Sequence, residues 1–142
     1  GIQLELGSVP TSFKRAGGTI QGELAACMRY YEKSYPQGTA PAAASSGGLI
    51  GGLFSTAVGT DNNNYYMNYF PFKVVKRSSP TLTIYDVAGN TGKATAMSLS
   101  SAQTNNITAT SSDIVDSAAR VYVGQLDGKA GFIFHYQANA EL

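Results

Sequence analysis

The feature that most constrains this chain is a succession of short strand-like segments broken by turn residues about every ten positions. Residues 49–58, 65–70, 72–77, 82–87, 93–99, 107–110, 114–125 and 131–138 each read as extended. Asp61 to Asn64, Ser78-Ser79-Pro80, Ala88-Gly89-Asn90 and Asp127-Gly128 supply loops and turns between them. The last segment places Phe132, Phe134 and Tyr136 on one face by its period of two. This pattern predicts an all-β fold, an antiparallel, jelly-roll-like β-sandwich. The composition agrees, with 14 Ser, 12 Thr, 8 Asn, 16 Gly and 9 Tyr in 142 residues.

One short N-terminal helix interrupts the β pattern. Leu24, Ala25, Cys27, Met28 and Tyr31 share a helical face, Thr19 suits the N-cap, and Glu23 complements the helix dipole. Its tail, residues 29–35, reads equally as a strand, so a helix giving way to a strand is expected. Residues 36–48 are rich in Ala, Ser, Gly and Pro and read as a loop. Before the helix, Ile2, Leu4 and Leu6 alternate with Gln3 and Glu5, predicting a half-buried strand within residues 2–13, with a turn over residues 7–10. Residues 14–18 read as a flexible joint. The expected division is residues 1–18 as the end of a preceding domain or a linker, and residues 19–142 as the β domain.

Charge excludes several classes. Charged residues are only 13% of the chain, and the net charge is +1 with no basic cluster. A nucleic-acid partner is not expected. No apolar run approaches the ~20 residues of a membrane helix, so membrane insertion is not expected either. The single Cys27 forbids an internal disulfide, and no Cys/His set suits structural zinc. Low charge fits a member of an assembly, and a start at Gly1 rather than Met fits a piece of a longer chain.

Four stretches carry a resemblance. Gln3-Leu4-Glu5-Leu6-Gly7-Ser8-Val9-Pro10-Thr11-Ser12-Phe13-Lys14-Arg15 resembles the "QLE-G-S-ATPFE-R" ending of carbohydrate-binding-like jelly rolls in bacteriophage tail proteins. Glu23-Leu24-Ala25-Ala26-Cys27-Met28-Arg29-Tyr30-Tyr31-Glu32-Lys33 is similar to the "E-LALCQRYYEK" segment that follows it there. The stretch FPFKVVKRSSPTLT, residues 70–83, is similar to their "FPVRMRATPTVT" strand pair. Ala138-Asn139-Ala140-Glu141-Leu142 is similar to their terminal "ADAEL", with Asn139 in place of Asp. Lys14 likewise stands where the family has Glu. The resemblance implies the C-terminal module of a tail fibre or tailspike. It implies an extracellular virion protein, a homotrimer bound to other tail proteins, that meets bacterial surface polysaccharide or lipopolysaccharide. The family shares a scaffold rather than a ligand, so no binding residue carries over.

The residues themselves nominate one binding region. Asn62, Asn63, Asn64, Tyr65, Tyr66 and Tyr69 combine amides that bridge sugar hydroxyls with aromatic faces that stack on C–H surfaces. The plainer reading is a polar loop followed by a strand with Tyr side chains in a core or interface. No cofactor or metal site is expected: the loop lacks the calcium-binding spacing with its closing Glu. His135 alternates out of phase with the aromatic face and is expected at solvent or an interface; Cys27 is expected as a buried small hydrophobe. Among the acids, Asp113 and Asp116 form the nearest interesting pair for glycoside hydrolysis, while Asp61 and Asp127 look like turn acids. No nucleophile elbow, P-loop or dinucleotide fingerprint is present, and no enzymatic activity is expected. Three functions remain in order: a receptor-binding tip, a structural module that caps, joins or trimerises the fibre, and part of a glycan depolymerase.

Overall fold

The computed structural model describes residues 6–9, 11–12, 17–53, 66–98, 103–124, 126 and 129–141. Helix α1 (Ile20–Met28) starts at Thr19, whose hydroxyl accepts a hydrogen bond from the Gly22 amide at 3.0 Å. Eight strands follow: β1 (Tyr31–Lys33), β2 (Ile50–Leu53), β3 (Tyr66–Pro71), β4 (Thr81–Tyr85), β5 (Lys93–Met97), β6 (Gln103–Ser112), β7 (Ala118–Val123) and β8 (Gly131–Asn139). The all-β class with one short helix is as the sequence predicts.

Strand pairing is antiparallel throughout and runs continuously through β8. The first half of β8 pairs with β2 and β5, and its second half with β1 and β4. From β5 the ladder continues through β6 and β7 to β3. The sheet curls until its two ends face each other. Phe70 of β3 thereby packs on Phe134 and Tyr136 of β8, with ring centroids 5.6 and 4.7 Å apart. These rings, with Phe72, Phe132, Val121 and Val123, fill the core. Ala94, Ala96 and Ala119 keep the neighbouring positions small, which lets the curled strands close on those rings.

Segment 72–77 does not form the strand expected there. A buried ion pair holds it instead. Lys76 Nζ donates to Glu32 Oε2 at 2.6 Å, to the Met28 carbonyl at 2.7 Å and to the Val74 carbonyl at 2.9 Å. Both side chains are essentially inaccessible. Glu32 also accepts the Lys73 amide, on both oxygens at 3.1 Å, and the Tyr136 hydroxyl. An extended run cannot point Lys76 at β1 while feeding three acceptors, so the backbone bends around the ammonium. Burial, and then the hydrogen bond and charge of Glu32, push the Tyr136 hydroxyl well above the usual tyrosine range.

His135 corrects another expectation. It is fully buried, not at solvent, because loop 36–48 folds over the outer face of β8. Its ring stacks on Tyr35 with centroids 3.9 Å apart. Nε2 lies 2.9 Å from the Ser45 carbonyl, which can only accept, so Nε2 carries the proton. Ser34 Oγ then donates to Nδ1 at 3.0 Å and accepts the Tyr136 amide at 3.0 Å. Burial lowers the His135 pKa, against a smaller opposing effect of the Ser45 carbonyl. The loop itself rests on the turn after β4, where Gly89 has φ +91° and a Cβ would lie 2.0 Å from the Ala42 carbonyl oxygen. That turn is built on the buried Asp86. Burial would raise its pKa, but hydrogen bonds from the Asn90 side chain and the Asn90, Asn106 and Ala88 backbone outweigh burial and lower it.

Other boundaries also move. Residues 7–9 bend, in keeping with the turn expected over residues 7–10, and the bend takes in Leu6, with Leu6 and Val9 exposed; residues 2–5 and the Asp127-Gly128 turn lie outside the described residues. Cys27 is exposed, because α1 stands off the core and buries none of its residues. Strand β6 is longer than expected and β7 begins later, because residues 113–117 form a turn in which Asp113 has φ +47°.

Lys76→Met leaves the Glu32 carboxylate buried without its countercharge. It should cost about 3–5 kcal/mol in urea unfolding, and Glu32→Leu added to it should recover much of that loss. For His135 the folded pKa lies below the unfolded value near 6.5. The unfolded chain therefore takes up the proton first as pH falls. Stability should be complete above that value and decline as pH drops from about 7 toward the folded pKa. A His135→Phe variant should show a flatter profile between pH 7 and 5 in thermal melts.

Candidate functional site

Strand β3 carries the sequence-nominated residues that fall within the description. Tyr66 and Tyr69 sit three positions apart on an alternating strand, so they point to opposite faces. Tyr66 turns inward and packs against the core. Tyr69 turns outward and is 61% exposed. Asn62, Asn63, Asn64 and Tyr65 lie outside the described residues.

The pairing registers assemble a surface around Tyr69. It sits directly across from Arg120 of β7, and Met67 sits across from Tyr122. Tyr122 in turn faces Thr110 of β6, and Arg120 faces Ser112. Val121, Val123 and Ala119 take the inward positions, which sends Tyr122 and Arg120 outward by the period of two. The outer face of β6, β7 and β3 is therefore a strip of two tyrosines, a methionine, and Thr and Ser hydroxyls. Sequence reading missed Met67, Arg120 and Tyr122. The alternation of Val121 and Val123 around Tyr122 carried that signal, but the partner strands were not legible without the register.

One end of the strip is electrostatically closed. Arg120 Nε donates to Ser112 Oγ at 2.9 Å, and its guanidinium lies 2.7 Å from the Asp113 carboxylate. The pair is half exposed, so it orients the guanidinium more than it stabilises the fold. It presents a flat guanidinium beside the Tyr69 position, with stacking and hydrogen-bonding capacity for a polar ligand.

The acids take structural roles. Asp113 serves Arg120, Glu32 serves Lys76, and Asp86 serves the turn after β4. Asp116 is exposed, and its carbonyl accepts the Lys76 amide at 2.7 Å. Asp61 and Asp127 lie outside the described residues. Among the described residues no three His, Cys, Asp or Glu side chains gather around a common point.

Comparison with protein-family models, with curated proteins and with solved structures finds no match to this chain.

The two tyrosines should separate cleanly by substitution. Tyr66→Ala removes a ring packed on the core and should cost about 1–3 kcal/mol in denaturant unfolding. Tyr69→Ala removes an exposed ring and should change stability by no more than about 0.5 kcal/mol.

Proposed function

We propose that this chain is the distal module of a bacteriophage tail fibre or tailspike, and that it binds a glycan of the host bacterial surface through the outer face of β6, β7 and β3. The observation that carries this reading is the exposed ring of Tyr69 among hydroxyl and guanidinium groups on a weakly charged strip. Sugars offer C–H faces to aromatic rings and hydroxyl pairs to planar polar groups, and this strip supplies partners for both. Asn62, Asn63, Asn64 and Tyr65 immediately precede β3 in the sequence, so those residues are proposed as the strip's extension. The sequence resemblance to tail proteins supports the same setting: a virion surface, other tail proteins as neighbours, a homotrimer, and polysaccharide or lipopolysaccharide as receptor. Several weak sites on one particle raise the effective affinity without requiring a deep pocket.

A second reading is a structural module that caps, joins or trimerises the fibre. The exposed Ile20, Leu24, Tyr30, Val75 and Val115 favour it, because such apolar side chains suit contacts with neighbouring subunits. A depolymerase ranks third, because Glu32, Asp86 and Asp113 are each committed to another group.

The test is binding of fluorescently labelled protein to a panel of bacterial strains before and after periodate oxidation of their glycans. Strain-selective binding, lost after periodate and weakened about two- to tenfold per site by Tyr69→Ala, is the expected result. Folded protein in its native oligomer that labels no strain would move the assignment to the structural module.

A further inference from the structure

A groove of about 370 Å³ runs beside β1, lined by Leu24 and Met28 of α1, by residues 31–35, and by Pro36, Gln37, Gly48 and Lys73. Consecutive residues of β1 line it, from both faces of the strand. The groove therefore follows the strand's edge. Hydrogen bonding shows which edge. Ala140 donates to the Tyr30 carbonyl at 2.7 Å, Ser34 donates to the Tyr136 carbonyl at 3.0 Å, and Glu32 is paired with Ala138 between them. Backbone groups on one side of an antiparallel strand belong to alternate residues. The Tyr30 carbonyl, Glu32 and the Ser34 amide thus face β8, while the Tyr30 amide turns back to the Cys27 carbonyl, and the N–H and C=O groups of Tyr31 and Lys33 point the other way, into the groove. No strand among the described residues pairs with them.

Unpaired strand edges attract further strands. This edge has apolar side chains above it in Leu24 and Met28. It also has a positive rim. Among the described residues Lys33 Nζ donates to the neutral carbonyls of Gln37 and Thr39, and Lys73 is exposed, while Glu32 is neutralised by Lys76. The groove therefore suits an extended segment with apolar residues at alternate positions and an acid between them. The same chain contains one. Ile2, Leu4 and Leu6 alternate with Gln3 and Glu5. Leu6 and Val9 stand fully or largely exposed, just as the groove is open.

We propose that residues 2–6 of one copy add as a strand to the β1 edge of a second copy, with Leu4 and Leu6 against Leu24 and Met28 and with Glu5 facing the Lys33 and Lys73 rim. Such a contact is heterologous, head to tail, and closes into a ring when the rotation between copies permits. A five-residue strand buries far less than the ~1,600 Å² of a standard interface, so assembly is expected in the micromolar range or weaker. Each copy supplies one strand and one groove.

Hydrogen exchange on the full chain over a hundredfold range of concentration tests this, alongside sedimentation. The Tyr31 and Lys33 amides should exchange at least about tenfold more slowly at high concentration, in step with oligomer formation. Leu4→Asp should abolish both effects while the Phe134 amide stays protected. Glu5→Lys should weaken assembly, and adding Lys33→Glu and Lys73→Glu should restore it. A chain that stays monomeric throughout would overturn the proposal. So would an oligomer indifferent to Leu4→Asp, or protection of Tyr31 and Lys33 that does not vary with concentration, which would mean that the edge is covered within one chain.

Discussion

The buried contact between Glu32 and Lys76 ties together parts of the chain that are distant in sequence. Glu32 lies on β1, Lys76 in the bent segment after β3, and Tyr136 on β8, and all three meet in one hydrogen-bonded cluster. A lone carboxylate or ammonium at this depth is strongly disfavoured. The pair persists because every polar atom has work: three acceptors for the ammonium, and backbone and hydroxyl donors for the carboxylate. Its geometry also explains why residues 72–77 abandon the extended form. The ammonium reaches the Met28 carbonyl at the end of α1, so the cluster anchors the helix without burying any helical side chain.

Strand β8 organises the rest. Its inward residues make the core, and its outward His135 is sealed by loop 36–48, so both faces are covered. Four strands share its two edges. Among the described residues no element covers the outer face of β6, β7 and β3, and the proposed receptor strip lies there. A strand ladder beneath the exposed Tyr69 ring suits recognition, since it presents the ring without ordering a loop. The groove beside β1 lies elsewhere on the same scaffold, so the receptor strip and the copy-to-copy contact can be occupied together.

Much of the fold was legible because period-two patterning is a local property. The extended segments expected over residues 65–70, 82–87, 93–99 and 131–138, which became β3, β4, β5 and β8, the Thr19 cap, and the passage from helix to strand near Tyr31 all follow from neighbouring residues. The failures share one cause. His135, Cys27 and segment 72–77 were judged by type and phase, yet each depends on segments far away in sequence. Loop 36–48 buries the His, β1 captures Lys76 and bends its segment, and no element among the described residues covers the Cys. The candidate site shows the same division. Tyr69 was nominated for its chemistry, whereas Arg120, Tyr122 and Met67 joined it only through strand register.

What the sequence determined by itself was therefore the β class, the single capped helix and the inward aromatic set of β8, because backbone periodicity and capping act over a few residues. Tertiary structure alone decided which strands share an edge, which charged groups go inside as a pair, and which tyrosine faces water. Those outcomes depend on desolvation and on partners brought together across more than forty residues of chain, as Glu32 and Lys76 are.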